Sequence, residues 1–417
     1  MKLQLSDKIN IPESGEKIQY KDNELIVPDN PIIPYIIGDG IGSDIWAAAM
    51  PVFNAGVEAA FGNKKKIEWM EVYAGEKAYE IYKNIFPDDV LIALNEYVVS
   101  IKGPLTTPVG GGHRSLNVTL RQELDLYACV RPVKYYEGVI SPVRHPERVN
   151  ILIYRENTED VYAGIEWEAD TKQCKRLIEH LNNSYKLHLP YDSGIGIKPI
   201  SRKATRRIVR KAIINAIEEN YKSVTLMHKG NIMKYTEGAF KEWGYKLAAY
   251  EFDGQVITES DLNKKYGKQI PEGKVVIKDR IADNLFQQLL LHPEDYDIVV
   301  APNLNGDYAS DFLAAQVGGL GLAPGGNIGD GTAVFEATHG SAPKFANTDT
   351  MNPASLMLSG VMMFKYLGWT EVADKIDKAI TACIKKGLVT QDLAEERKDA
   401  KVLKTSEFGK AVIDNIQ

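Results

Sequence analysis

The chain has 417 residues, 44% of them hydrophobic and 25% charged, and a formal net charge of -6. That length exceeds what one core usually serves, so two or three domains are expected. The acidic balance argues against a general nucleic-acid or anionic-membrane binder, and Cys129, Cys174 and Cys383 match no zinc or redox spacing, reading as reduced thiols.

From the N-terminus, MKLQLSDKINIPESGEK lacks the apolar core of a secretory signal. The most apolar later run, LMLSGVMMF (356–364), is too short to span a bilayer. A cytoplasmic protein without a membrane partner is expected. Apolar runs at 31–37, 98–102, 151–155, 223–229, 275–278 and 297–302 read as buried strands, and amphipathic stretches at 44–61 and 205–220 as helices. Strands alternating with helices predict an α/β chain with much parallel sheet. Such sheets place ligands beyond the carboxyl ends of their strands. Residues 160–200 differ, with a helical stretch around KQCKRLIEHLNNSY and the turn-rich YDSGIGIKPIS. This segment reads as a β-rich excursion suited to pairing with another subunit.

Several stretches carry chemistry. IIGDGIGSDI (36–45) has a GxGxG pattern rather than GxGxxG, and reads as a tight turn rather than a Rossmann phosphate site. In GGGHRSLNVTLRQELDL (110–126), Asn117 suits a helix N-cap, with Arg121 one turn further along. Arg131 follows the run YACV, and Arg155 ends ILIYR. Guanidinium forks bind carboxylates bidentately. One such arginine is readily answered by a surface acid such as Glu123; together they point to an anion site for a substrate with two or three carboxylates.

Asp279 and Asp283, and again Asp307 and Asp311, are four apart, which on a helix puts both carboxylates on one face. Hard divalent cations take such oxygens, and helix capping remains an alternative use. THGSAPK (338–344) sets His339 and Lys344 among small residues, suited to a base and a phosphate. The basic helix RKATRRIVRK (202–211) lacks interleaved aromatics for stacking on single strands. It reads as a solvated face, and no nucleic-acid partner is expected.

The longer stretches IKGPLTTPVGGGHRSLNVTLRQELDLYACVRPV, YRENTEDVYAGIEW, SGIGIKPIS, HKGNIMKYTEGAF, KDRIAD, NLNGDYASDFLAAQVGG and FEATHGSAPK resemble the isocitrate dehydrogenases. The resemblance is to the homodimeric bacterial and archaeal type, within the isocitrate/isopropylmalate (β-decarboxylating) dehydrogenase family. It implies that family's α/β fold, not a Rossmann fold. A large domain is implied at 1–126 and 319–417, a small domain at 127–159 and 201–318, and a β-rich clasp at 160–200. It also implies metal-dependent oxidative decarboxylation of isocitrate to 2-oxoglutarate and CO2 with reduction of NADP, in a homodimer with shared active sites.

Carried over by motif, Ser115, Asn117, Arg121, Arg131 and Arg155 hold the isocitrate carboxylates. Tyr162 and Lys229 are the acid–base pair, with Lys229 reaching in from the second subunit. Asp307 and Asp311, with Asp283 from that subunit, hold Mg²⁺ or Mn²⁺. Thr107 and Asn231 belong near the nicotinamide and substrate, and His339, Lys344 and Asn352 line the adenosine half of the cofactor.

Three positions depart from the NADP pattern of the family. Phe345 stands for the tyrosine beside Lys344, and Gln391 and Glu395 stand where a tyrosine and an arginine are expected. Lys344 favours NADP while Glu395 repels a phosphate, so NADP with appreciable use of NAD is expected. Arg397 and His292 are candidate substitute cations. Homoisocitrate and isopropylmalate dehydrogenases share the arginines, tyrosine, lysine and aspartates; the polar Ser115 and Asn117 suit a third carboxylate and favour isocitrate over an apolar-tailed substrate. A non-catalytic regulatory relative is expected to have lost some of Tyr162, Lys229 or the aspartates, and all are present. In some bacterial relatives the serine matching Ser115 is phosphorylated, and a dianion there repels a substrate carboxylate.

Overall fold

A computed structural model describes residues 4–106, 115–395 and 397–417. Among these, eleven strands form one sheet. From one edge the order is Val256–Thr258, Val275–Ile281, Ser223–His228, Ile298–Ala301, Asn150–Glu156, Ala128–Lys134, Pro324–Ile328, Ala333–Ala337, Val99–Lys102, Ile32–Ile36 and Glu68–Glu71. The first five run parallel to one another, as do the last four. Ala128–Lys134 and Pro324–Ile328 join the two halves as antiparallel strands. Every apolar run read as a strand lies in one of the parallel halves. Such strands are covered on both faces, which is why they read as unbroken apolar runs.

Helices Gly42–Phe61, Ala354–Tyr366, Thr370–Lys385 and Thr405–Asp414 build the largest core, around Phe53, Phe364, Trp369, Ile376 and Phe408. Each fully buried side chain of this size contributes roughly 2–3 kcal/mol. On the other half, Arg202–Glu218 and Glu237–Glu251 cover one face with Ile208, Val209, Phe240 and Leu247. Ala282–Leu291 and Asn303–Gln316 cover the opposite face with Leu285, Leu289 and Leu313. LMLSGVMMF is part of the almost wholly buried helix Ala354–Tyr366. No helix among the described residues is long and apolar enough to cross a membrane.

The GDGIG turn packs against two other segments. Gly38 and Gly40 have φ of +85° and +57°, and a Cβ on Gly40 would lie 2.1 Å from the Ser341 carbonyl oxygen. Between them, the Asp39 carboxylate accepts hydrogen bonds from the N–H groups of Glu76 (2.8 Å) and Thr106 (2.7 Å). The loop is spent on joining chain segments, as its GxGxG spacing suggested.

Three local expectations are corrected. Residues 160–200 hold more helix than strand: Lys172–Tyr185 is helical, and the ribbon Glu166–Trp167 with Ile195–Gly196 is two residues long on each side. Thr171 caps that helix by accepting from the Cys174 N–H at 3.2 Å. Asn117 is not an N-cap, because the helix begins at Leu116 and Ser115 occupies the cap position. Asp279 lies in the strand Val275–Ile281 while Asp283 is in the following helix, so the two do not share a helix face.

Helix Asn303–Gln316 lies against the strand that carries Arg155, at a glycine. A Cβ on Gly306 would come within 2.7 Å of the Arg155 Cβ and Cγ. Gly306→Ala should therefore push the helix away and destabilise the protein by about 1–3 kcal/mol, measured as a lower midpoint in urea.

Candidate active site

The antiparallel joint brings the predicted arginines together. Arg155 stands opposite Cys129, and Arg131 is two residues further along that neighbouring strand, so both project from one face of the sheet. Arg121 comes from the helix Leu116–Glu123. All three are buried, with exposures of 8% for Arg121, 7% for Arg131 and 1% for Arg155. Helix Asn303–Gln316 follows strand Ile298–Ala301, and its first turns bring Asp307 and Asp311 to the same place.

Arg155 ion-pairs with Asp307, and Arg131 lies 3.4 Å from Asp307 and 3.5 Å from Asp311. Tyr162 donates its hydroxyl to Asp307 Oδ2 at 2.6 Å, and Arg131 donates to Ser310 Oγ at 2.7 Å. Asn303 accepts from Arg155 Nε at 2.8 Å and donates to the Glu159 carbonyl.

Behind this group lies an ion cluster. Glu336 and Lys102 are register partners in adjacent parallel strands, and their charged atoms are 2.6 Å apart. Arg121 reaches the other Glu336 oxygen at 2.8 Å, and Asn327 donates to that same oxygen at 2.8 Å. Lys102, Arg121, Arg131 and Arg155 thus face Glu336, Asp307 and Asp311, and positive charge is in surplus. Among the described residues, two guanidinium donors, Arg121 Nε and Arg131 Nε, are buried without a hydrogen-bond partner, as is Asn117 Oδ1. Buried polar atoms of this kind call for a partner, from water or from a bound ligand.

The field of the cluster sets its titrations. Burial opposes ionisation of Glu336, but Lys102 and Arg121 outweigh it and hold the carboxyl far below its ordinary range. Burial also opposes ionisation of Asp307, and Arg155, Tyr162 and Arg131 together hold it low. Asp311, with weaker support from Arg131, is raised by burial. Burial and the hydrogen bond to Asp307 push Tyr162 up to about 12, so near neutral pH it keeps its proton.

A second cleft, of about 1010 Å³, adjoins Ile41 of the GDGIG turn. His339, Asn352, Gln391, Asp392, Glu395 and Lys404 are among the residues that line it. Burial lowers the pKa of His339, and its Nε2 has no partner among the described residues. Asn352 donates to Asp392 at 3.0 Å. Phe345 also lines the cleft, while Lys344 is exposed in the turn Pro343–Phe345 beside it. Neither candidate substitute cation is among the residues that line this cleft within one chain: Arg397 is bound to Asp399 and to the carbonyls of Gly138, Ile384 and Lys385, and His292 follows the helix Ala282–Leu291. Lys404 is the cation that sequence reading missed.

Lys229 and Asp283 are not part of the arginine group within one chain. They ion-pair with each other, Lys229 just beyond strand Ser223–His228 and Asp283 in the first turn of helix Ala282–Leu291. Strand Ile298–Ala301 separates theirs from the strand of Arg155, a distance of roughly 10 Å across the sheet. Asn231 is exposed in the turn after Lys229. Among the described residues no trio of His, Cys, Asp or Glu stands at metal-binding spacing. Asp279 is occupied, bonding His228 at 2.9 Å and Tyr245 at 2.7 Å. Ser115 stands at the start of the Arg121 helix, whereas Thr107 lies outside the described residues.

The basic helix is not a solvated face. Arg206 and Arg210 clamp Glu251, Arg207 bonds Asp125 and Thr158, and Lys211 reaches the Gly329 carbonyl. Most of its cations hold the protein together. Glu336 and Lys102 were also missed, although a glutamate within the apolar run AVFEA is a signal in itself. Only register reveals its partner.

Residues 32–412 match the model of the isocitrate/isopropylmalate dehydrogenase family. Among similar proteins is an NADP isocitrate dehydrogenase of Archaeoglobus fulgidus, 57% identical over 99% of both chains. Another, from Staphylococcus epidermidis, is 52% identical over 97% of this chain and 100% of that one. The crystal structure of isocitrate dehydrogenase from Methylococcus capsulatus superposes with a TM-score of 0.76 at 35% identity, covering 93% of this chain and 99% of the other.

Replacing Glu336 with Gln leaves Lys102 and Arg121 buried beside an uncharged group, and should cost roughly 3 kcal/mol at neutral pH. A carboxyl held low in the folded state stabilises above its unfolded pKa, and that contribution fades as pH falls. The wild type's advantage over Glu336→Gln should therefore shrink below about pH 4.3, as read from denaturant unfolding at several pH values.

Proposed function

The chain belongs to the isocitrate/isopropylmalate dehydrogenase family, and on that premise we propose that it oxidatively decarboxylates isocitrate, with NADP as oxidant, as a cytoplasmic homodimer with shared sites. The observation that carries this reading is the buried group of Arg121, Arg131 and Arg155, in which Arg121 Nε and Arg131 Nε stay unpaired among the described residues. Ser115 and Asn117 at the helix start read the third carboxylate, which separates isocitrate from the apolar-tailed isopropylmalate. The large domain at 1–126 and 319–417, the small domain at 127–159 and 201–318, and the clasp at 160–200 belong to the same proposal.

The three arginines orient the substrate so that the hydride leaves C2 for the nicotinamide. Lys229 of the partner subunit takes the hydroxyl proton, giving a ketone at C2. The carboxylate on C3 then departs as CO2, and Tyr162, protonated near neutral pH, delivers a proton to C3. The products are 2-oxoglutarate, CO2 and reduced cofactor. Asp307 and Asp311 offer hard oxygen ligands one helical turn apart, which suits Mg²⁺ or Mn²⁺ completed by the partner's Asp283. When bound, such an ion supplies Lewis-acid polarisation of the C2 oxygen. Thr107 and Asn231 attend the nicotinamide, while His339, Lys344 and Asn352 hold the adenosine half.

With Mg²⁺ present, the purified protein should reduce NADP with isocitrate and produce 2-oxoglutarate. Better turnover of isopropylmalate or homoisocitrate would overturn the substrate assignment. Tyr162→Phe should lower kcat by about 10²–10⁴-fold, the usual worth of a positioned acid.

Lys344 and Lys404 support NADP at the second cleft, against Asp392 and Glu395. A measurable preference for NADP in kcat/KM, with appreciable NAD use, is expected. Lys404→Glu should move the ratio toward NAD, and a wild type that strongly prefers NAD would reverse the assignment.

A further inference from the structure

The stretch SGIGIKPIS holds a lysine to which no role has been given. Lys198 ion-pairs with Asp160 and lies 3.0 Å from Glu237 Oε1. Both acids are essentially inaccessible, at 1% and 0% exposure, and the lysine side chain is itself largely covered. Asp160 sits two residues before Tyr162 in a tight turn, with φ of +71°, and its carboxylate accepts from the N–H groups of Val161 (2.7 Å) and Leu304 (3.0 Å). Glu237 accepts from the backbone N–H of Lys229 and from Asn305 Nδ2 at 2.9 Å. One ammonium therefore stands between the turn of Tyr162 and the loop of Lys229, with the start of the Asp307 helix tied to both acids. Without it, two buried carboxylates would face each other with no countercharge, a costly arrangement.

We propose that Lys198 is a positioning residue, holding the Tyr162 turn and the Lys229 loop in their working places through Asp160 and Glu237. The proposal rests on the functional reading above. In a dimer with shared sites the Tyr162 turn serves its own cleft and Lys229 serves the partner's, so each Lys198 steadies parts of two sites. The chain enters from the arm: Asp160 N–H bonds the Pro199 carbonyl at 2.9 Å, and Ile197 N–H bonds that of Ile165 at 2.9 Å. Lys198 thus adds a charged link to the backbone bond that already joins this segment to the Tyr162 turn.

The test is steady-state kinetics of Lys198→Met and Lys198→Arg in the full-length protein, with unfolding curves and size-exclusion chromatography alongside. Among the described residues the acids that Lys198 pairs with, Asp160 and Glu237, make no ion pair with the arginines that bind substrate, whose acids are Glu336, Asp307 and Asp311. The Met variant should therefore keep its KM for isocitrate within about threefold and lose kcat on the order of 100-fold, the scale of a 1 Å misplacement. Arg, which keeps the charge, should recover most of that loss. Unchanged kcat, a loss matching the unfolded or dissociated fraction, or no recovery by Arg overturns the proposal. If the Met variant does not fold, Asp160→Asn releases the Tyr162 turn alone and is judged by the same split. Failure of the parent function is separate: it appears as a wild type inactive on isocitrate.

Discussion

Glu336 is buried between Lys102 and Arg121, and its carboxylate is shared with Asn327 of the antiparallel joint. Burying such a charge is tolerable only with complete pairing. That requirement constrains strand register on one side and the placement of the Arg121 helix on the other. Once both are set, Arg121 Nε and Arg131 Nε are left without a hydrogen-bond partner among the described residues. The cleft is cationic because its carboxylates are outnumbered and already committed.

The joint has a second consequence. Two parallel half-sheets, each with its own helical cover, meet through Ala128–Lys134 and Pro324–Ile328. Arg131 lies on the joint, Arg155 on the strand next to it, and Asp307 and Asp311 on the helix after the following strand. Cation and acid side chains thus converge from three elements, the helix of Asp307 lying 152 residues beyond Arg155 in the chain. Gly306 permits the close helix–strand approach that brings Asp307 to Arg155.

Legibility depended on whether a residue's surroundings were local. The six apolar runs announced their strands because burial on both faces leaves a continuous signal. Asp307 and Asp311 were read rightly as one helix face, while the same four-residue spacing misled at Asp279, which lies in a strand. Spacing carries information only after the element is known. RKATRRIVRK looked like a solvated surface because its partners are distant in sequence: Glu251 is 45 residues from Arg206, Asp125 82 from Arg207 and Gly329 118 from Lys211. No local pattern encodes such pairings.

The chain by itself therefore determined the α/β class, most of the parallel strands, the arginines and aspartates as candidates, and the family through its long motifs. These properties live in side-chain type and short-range periodicity. Tertiary structure alone decided that Glu336 answers Lys102 and Arg121, that Arg397 is spent on carbonyls while Lys404 lines the cleft, and that Lys198 ties Asp160 to Glu237. It also set Lys229 and Asp283 apart from Arg155 within one chain. These are matters of register and strand order, which bring distant residues within a few ångströms or hold them apart. Electrostatic energy depends on that separation in space rather than on distance along the chain.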